Sequence, residues 1–205
     1  MAITYPLQLP DNGAGIESFR LIANHAVGVL RSPFTFATQT QRHPGQAWSV
    51  EVGIAPCRED GAEPWMAFLL RLNGPHGTFL MGDPWHRSPR GTATGSPEVR
   101  GNHAARAATL LTGGWTANTA GILLEGDYIQ IGERLHKVLL DADSDASGQA
   151  TLEIFPALRV AVADSEAIIT EEPKGLFRLA DAESTLTEID KERFYSISFT
   201  AMEAV

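Results

Sequence analysis

The 205-residue chain (22.1 kDa) is 43% apolar and 20% charged, with 19 Gly and 12 Pro, enough apolar content for one compact domain or two small ones and too much for a disordered chain. Sixteen Lys and Arg against 25 Asp and Glu give a formal charge of −9 and a pI near 5.1, which argues against a sequence-independent electrostatic grip on nucleic acid or on an anionic membrane, and no specific nucleic-acid binding is expected. The opening MAITYPLQLPDNG has no basic or apolar leader pattern and the longest apolar runs are a few residues, so no export signal and no membrane insertion are expected.

Two prolines at 6 and 10 and the run Asp11-Asn12-Gly13 predict an extended arm ending in a turn. From Phe19 and Leu21 to Val27, Val29, Phe34 and Phe36, apolar residues alternate with small or polar ones and predict strands interrupted at Pro33. Trp48, Val50, Val52 and Ile54 form the clearest period-two signal in the chain. Between 62 and 73 the period changes: Trp65, Phe68, Leu69 and Leu72 recur at spacings of three and four, with Pro64 near the start and Gly74-Pro75 past the end, predicting a helix. A strand over 77–81 stops at Gly82-Asp83-Pro84, and 88–102 reads as a long Pro/Gly/Arg-rich loop.

Short β-like runs follow at 109–111, 122–124, 128–131, 135–140 and 151–155, separated by Gly-containing turns, with further strands at 167–170, 176–179 and 195–200. Short strands joined by tight turns predict a small barrel or sandwich. The fold class is therefore mainly β: a β-sandwich with one helix plus an inserted small β-barrel. The sandwich is expected over 1–82 rejoined by 170–205, and the barrel over 83–169.

The motifs that carry chemistry fail at their diagnostic positions. Asp141, Asp143, Asp145 and Ser147 open like a calcium loop, but its sixth and twelfth places hold Ala146 and Leu152 where Gly and Glu are needed. The reading is a solvated hairpin turn with Gly148 at positive φ. Six histidines form no HxH or HxxxH pair, and His76, Asp83 and His86 share no ligand spacing. Cys57, the single cysteine, forms no intramolecular disulfide and sits in Ala-Pro-Cys-Arg with no nucleophile signature. No catalytic residue, metal ligand or cofactor is assigned, and the chain is not read as an enzyme. The four tryptophans, 48, 65, 85 and 115, are expected in a core or a subunit interface.

A series of local motifs resembles the distal tail proteins and related minor tail proteins of long-tailed, non-contractile bacteriophages. They are SPFTFATQT at 32–40, PGQAW at 44–48, FLLRLNGPHGTFLMGDP at 68–84, GDYIQIG at 126–132, DASGQATL at 145–152, IFPALR at 154–159 and GLFRL at 175–179. The resemblance implies a virion structural component, made in the host cytoplasm. It would form a homo-oligomeric ring, typically of six copies, joining the tail tube on one face to the tail hub or tip on the other. DNA would pass through the lumen. Another tail component (tube, terminator or hub) and a carbohydrate-binding module of the tail tip, with Trp85 beside His86, are the alternatives.

Under this reading residues 1–15 would clamp a neighbouring subunit, and 87–107 would be a loop ordered by another ring. Trp48, Phe68, Phe79, Phe177 and Phe199 are expected in one core, and Tyr128 and Phe155 in the other. Gly82, Asp83, Gly126, Asp127, Gly132 and Gly148 are expected to set turns. Arg159 is expected to pair with a carboxylate at a domain or subunit contact.

Overall fold

The computed structural model describes residues 3–183 and 185–204. The chain is mainly β, with a sandwich-like layered part, one α-helix among the described residues, and a small barrel. The strands are β1 (Ile16–Arg31), β2 (Thr38–Cys57), β3 (Phe79–Met81), β4 (Gly95–Val99), β5 (Thr109–Trp115), β6 (Tyr128–Ile131), β7 (Arg134–Val138), β8 (Ala150–Phe155), β9 (Ile168–Ile169), β10 (Gly175–Leu179), β11 (Thr185–Ile189) and β12 (Tyr195–Glu203). The helix α1 runs Glu59–Leu72.

The first sheet has the order β1-β2-β12-β10-β3, with β11 also paired to β12. Its inward face is the period-two set of Val50, Val52, Ile54, Ile197, Phe199, Ala201, Phe177, Leu179, Phe79 and Met81, all buried. Helix α1 lays Ala62, Trp65, Phe68, Leu69 and Leu72 on that face. It begins at Glu59, before the predicted start, because Glu59 and Asp60 suit the positive end of the helix dipole. It ends where Asn73 takes a left-handed conformation at φ 52°.

The second sheet has the order β4-β5-β8-β7-β6-β9. Its two ends approach each other: Glu98 bridges Ala167, Val99 N donates to Glu166 O at 2.8 Å, and Ser165 N donates to Val99 O at 2.9 Å. That contact nearly closes the sheet into a barrel around Leu110, Ile122, Leu123, Ile129, Val138, Leu152 and Ile154. Tyr128 and Phe155 do not belong to this barrel core. They pack into the first cluster, with Phe155 edge-on to Trp48 at 4.8 Å between ring centroids, because both side chains point out of the barrel at its joint with the first sheet. The two sheets thus share apolar packing.

Three further expectations are corrected. The N-terminal arm does not reach away: Leu7 N donates to Thr78 O at 2.8 Å, Leu80 N donates to Leu7 O at 3.0 Å, and the Leu7 side chain is buried in the core. It takes up the open edge of β3, which otherwise exposes unpaired amides; residues 1 and 2 lie outside the described residues. The 87–107 stretch contains β4 and is bonded to its own chain, as where Thr92 N and Ala93 N donate to Gly121 O and Ile122 O. The 122–124 run is no strand. It makes one isolated bridge, Leu123 to Ala142, and puts Ile122 and Leu123 into the barrel core.

Candidate functional site

The chain's most unusual surface is the outer half of the β1–β2 hairpin. The two strands pair in register from Phe19↔Val52 out to Arg31↔Thr38, with an irregularity between His25 and Val27. Strand β12 leaves β2 at Ser49↔Met202. His25 and Gln46 still touch the barrel, through the Phe155 ring at 4.7 Å and through Ala157 N donating to Gln46 Oε1 at 2.8 Å. Beyond them residues 26–31 and 33–44 are all exposed, a ribbon ~20 Å long at ~3.3 Å per residue.

Its apolar side chains have no core to enter. Val27, Val29, Leu30, Phe34 and Phe36 are exposed, Phe34 to 91%. At the tip Ser32 Oγ accepts from Phe34 N and Thr35 N, each at 3.3 Å, and Ser32 N donates to Ala37 O at 2.9 Å. Phe36 is held at φ 56°, a conformation that costs an aromatic residue energy, with the Arg31 guanidinium 4.8 Å from its ring centre. A two-stranded ribbon is marginal in water by itself, and apolar side chains gathered on such a surface mark a contact site. The charge is segregated as well. The outer ribbon, residues 26–44, contains Arg31 and Arg42 and no carboxylate, a formal +2, while the rest of the chain carries −11; Arg20, further down β1, pairs with Glu51 at 3.1 Å.

Two buried polar clusters fix the body behind the ribbon. In the first, Asp127 is fully buried and accepts from Arg90 N at 3.0 Å, Gly91 N at 3.2 Å, Leu124 N at 2.9 Å and His86 Nε2 at 3.2 Å. Burial works against its charge, but the backbone amides of Arg90, Leu124 and Gly91 and the His86 imidazole outweigh it and hold the carboxyl below its ordinary value. The Gly126-Asp127 turn read from the sequence is thus the anchor of the segment that enters the barrel. Asp83 performs a smaller version of the same task, its Oδ1 accepting from Trp85 N at 2.9 Å and His86 N at 3.2 Å.

In the second cluster Glu203, at the inner end of β12, meets Arg134 at 3.6 Å and Arg159 at 3.7 Å, and accepts from Trp48 N at 3.2 Å. Arg134 also donates to Ala204 O. Burial pushes the Glu203 carboxyl up, against the pull of the Trp48 amide and the two guanidinium groups. Beside it, Trp48 Nε1 donates to Leu135 O at 3.0 Å, and buried His136 Nδ1 donates to Pro156 O at 2.7 Å. Burial lowers the His136 pKa to about 4, with the two arginines pushing the same way against the Pro156 carbonyl. Arg159, singled out in the sequence, therefore lies where the barrel meets the first sheet. Its partner Glu203 and the neighbours Arg134 and His136 were missed. The available signal was the alternation Ile197, Phe199, Ala201, Glu203, which puts the glutamate on the inward face.

The remaining candidates have local roles. Gly148 sits at φ 69°, where a Cβ would also lie 2.4 Å from Trp115 O. Gly82 has no such backbone demand; it is glycine because a Cβ there would stand 2.1 Å from Pro173 O. Gly126 and Gly132 turn at φ 93° and 56°. Asp141, Asp143 and Asp145 accept backbone amides from Glu125, Gly121 and Ser147, each at 2.7 Å. Burial pushes the Cys57 thiol up, which lowers its thiolate content. Tryptophans 48, 65 and 115 are buried, whereas Trp85 is 63% exposed. Compared with protein-family models and with curated proteins, the chain matches none.

Proposed function

We propose that the chain is a structural subunit of a bacteriophage tail, a distal tail protein whose copies close into a ring between the tail tube and the tail hub or tip. The observation that carries this reading is the projecting β1–β2 ribbon, basic and apolar on an otherwise acidic body. A second copy supplies what the ribbon lacks: a body of opposite charge, and side chains to cover Phe34 and Phe36. Because the ribbon and the body it would contact are different surfaces, the contact is head-to-tail, the kind that closes rings when the rotation permits. Six copies is the number the family resemblance implies. The acidic body suits a lumen through which DNA passes without being held.

The test is the double variant Phe34→Ser/Phe36→Ser, compared with the native chain by light scattering at low and at high salt. The native chain is expected to assemble and to lose mass as salt screens the ribbon-to-body attraction within about 10 Å. The variant is expected to stay monomeric with an unchanged circular dichroism spectrum. Equal assembly of both would remove the ribbon from the contact and the reading with it. A tube, terminator or hub protein is the alternative within the same class, since it would use the same ribbon contact; a lone carbohydrate-binding module would not need it.

A further inference from the structure

The face of the first sheet that lies opposite helix α1 is open. Val50, Val52 and Ile54 point inward, so Ser49, Glu51 and Gly53 point out. The register sets Ser18, Gly53 and Ser198 in one row across β1, β2 and β12, and Arg20, Glu51 and Thr200 in the next. Two serines and a glycine have little bulk, and a trough of about 630 Å³ lies over them. One wall is the Arg20–Glu51 pair at 3.1 Å. The other is the turn that leads into β11, where Glu183 N donates to Asp181 Oδ1 at 2.9 Å and both carboxylates reach the trough. Three carboxylates against one guanidinium give the lining a formal −2. A cavity of about 600 Å³ beside Trp85 sets Asp11, Asp83 and Glu172 against Arg87 and Lys174, so it attracts a cation less.

The ribbon tip is the complement of this trough. The ribbon carries a formal +2 and no carboxylate, and the Arg31 guanidinium, 4.8 Å from the Phe36 ring centre, presents charge and aromatic surface as one unit. The floor of small side chains leaves the flat ring room to lie on it. A copy cannot fill its own trough: from Arg20 on the wall to Arg31 at the tip is about 36 Å of strand at ~3.3 Å per residue, and β1 stays paired to β2 along that length. Trough and tip are the two ends of one hairpin, so placing each tip in a neighbour's trough repeats one head-to-tail contact, which closes when the rotation permits.

We propose that the trough over Gly53 is the receiving site for the ribbon tip of the next copy, with Arg31 entering between Glu51 and Glu183 and the Phe36 ring lying over Ser18 and Ser198. This rests on the ring reading above and adds to it the surface that the neighbouring copy supplies.

Charge exchange tests it. Arg31→Glu, Glu183→Arg, the double variant Arg31→Glu/Glu183→Arg and a control, Arg31→Glu/Glu125→Arg, which puts the new arginine on the barrel, would be compared with the native chain. Light scattering over a range of concentrations at low salt reports assembly, and circular dichroism reports the fold of each. Each single variant is expected to raise the concentration at half-assembly by about tenfold or more, because like charges then face each other across the contact. The double variant is expected to return to within about threefold of native, the non-additivity that two residues in contact show. Glu183→Arg leaves the ribbon untouched, so a loss there does not come from damage to the tip. The control should assemble as poorly as Arg31→Glu alone. A native chain that assembles while Glu183→Arg is neutral, a double variant no better than Arg31→Glu, or a control that recovers equally well overturns the trough and leaves the ring standing. A native chain that stays monomeric at every concentration overturns both.

Discussion

Acidification should weaken the fold through one imidazole. His136 is buried where the barrel meets the first sheet, donates through Nδ1 to Pro156 O, and faces Arg134 and Arg159. Its folded pKa is about 4, against an ordinary value of 6.5. Above pH 6.5 neither the folded nor the unfolded chain protonates it, and its neutral form costs nothing. As pH falls from 6.5 to 4, the unfolded chain takes up a proton that the folded chain refuses, so stability drops by about 1.4 kcal/mol per pH unit, about 3 kcal/mol across the window. Glu203 acts in the opposite sense. Its folded pKa is raised, so the folded chain holds a carboxyl proton that the unfolded chain has released, and its contribution to stability falls as pH rises through that raised value. The net slope of the native protein is therefore shallower than the imidazole alone would give. His136→Asn isolates the histidine, because asparagine can still donate to Pro156 O without titrating. Urea unfolding at pH 7.5 and pH 4 would be measured for both proteins. The native chain should lose about 3 kcal/mol more than His136→Asn between the two. Equal losses would refute the argument that the joint keeps this imidazole neutral.

The other predictions concern the anchors. Asp127→Ala removes the acceptor of the part-buried amides of Arg90, Gly91 and Leu124, and at ~1 kcal/mol per group, the low end for an unsatisfied amide, should cost about 3 kcal/mol in urea unfolding; a loss under 1 kcal/mol would mean water replaces the carboxylate. Gly82→Ala should destabilise by about 1–3 kcal/mol through overpacking against Pro173 O, read as a lower thermal midpoint, and an unchanged midpoint would show that the Pro173 segment yields freely. Deleting residues 3–12 should unfold or strongly destabilise the chain, since Leu7 pairs with β3 and fills the core; a truncated chain with native circular dichroism and thermal midpoint would contradict that placement.

The fold was legible where periodicity and burial agree. Val50, Val52 and Ile54 alternate because one face of β2 is buried under α1, and Trp65, Phe68 and Leu72 recur at helical spacing because they are the stripe that covers it. The outer hairpin was only half legible. Val27 and Val29 alternate as a strand should, but Thr38 to Pro44 carries no apolar pattern, because both faces of that stretch lie in water and nothing selects for one. Strand β4, which begins on Gly95, contains Pro97 and is followed by Gly101, reads as loop, and is held instead by backbone pairing to β5 across an irregular register. For the candidate site, Asp127 and Arg159 stood out through their turn and strand-end settings. Glu203 and His136 did not, since their partners are 44 or more residues away or come from backbone carbonyls, which leave no spacing in the sequence. The arm was misread for a related reason: an extended Pro-containing segment looks the same whether it pairs with its own edge strand or with a neighbour's.

We propose that copies of this chain assemble through the basic ribbon into a closed ring. The most direct test is the solution mass of the purified native protein over a range of concentrations, with negative-stain images of any large species. A discrete species of about six subunits with an open centre is expected, and it should be lost in Phe34→Ser/Phe36→Ser. A native chain that remains monomeric at every concentration, or a discrete oligomer that the tip variant forms equally well, would contradict it.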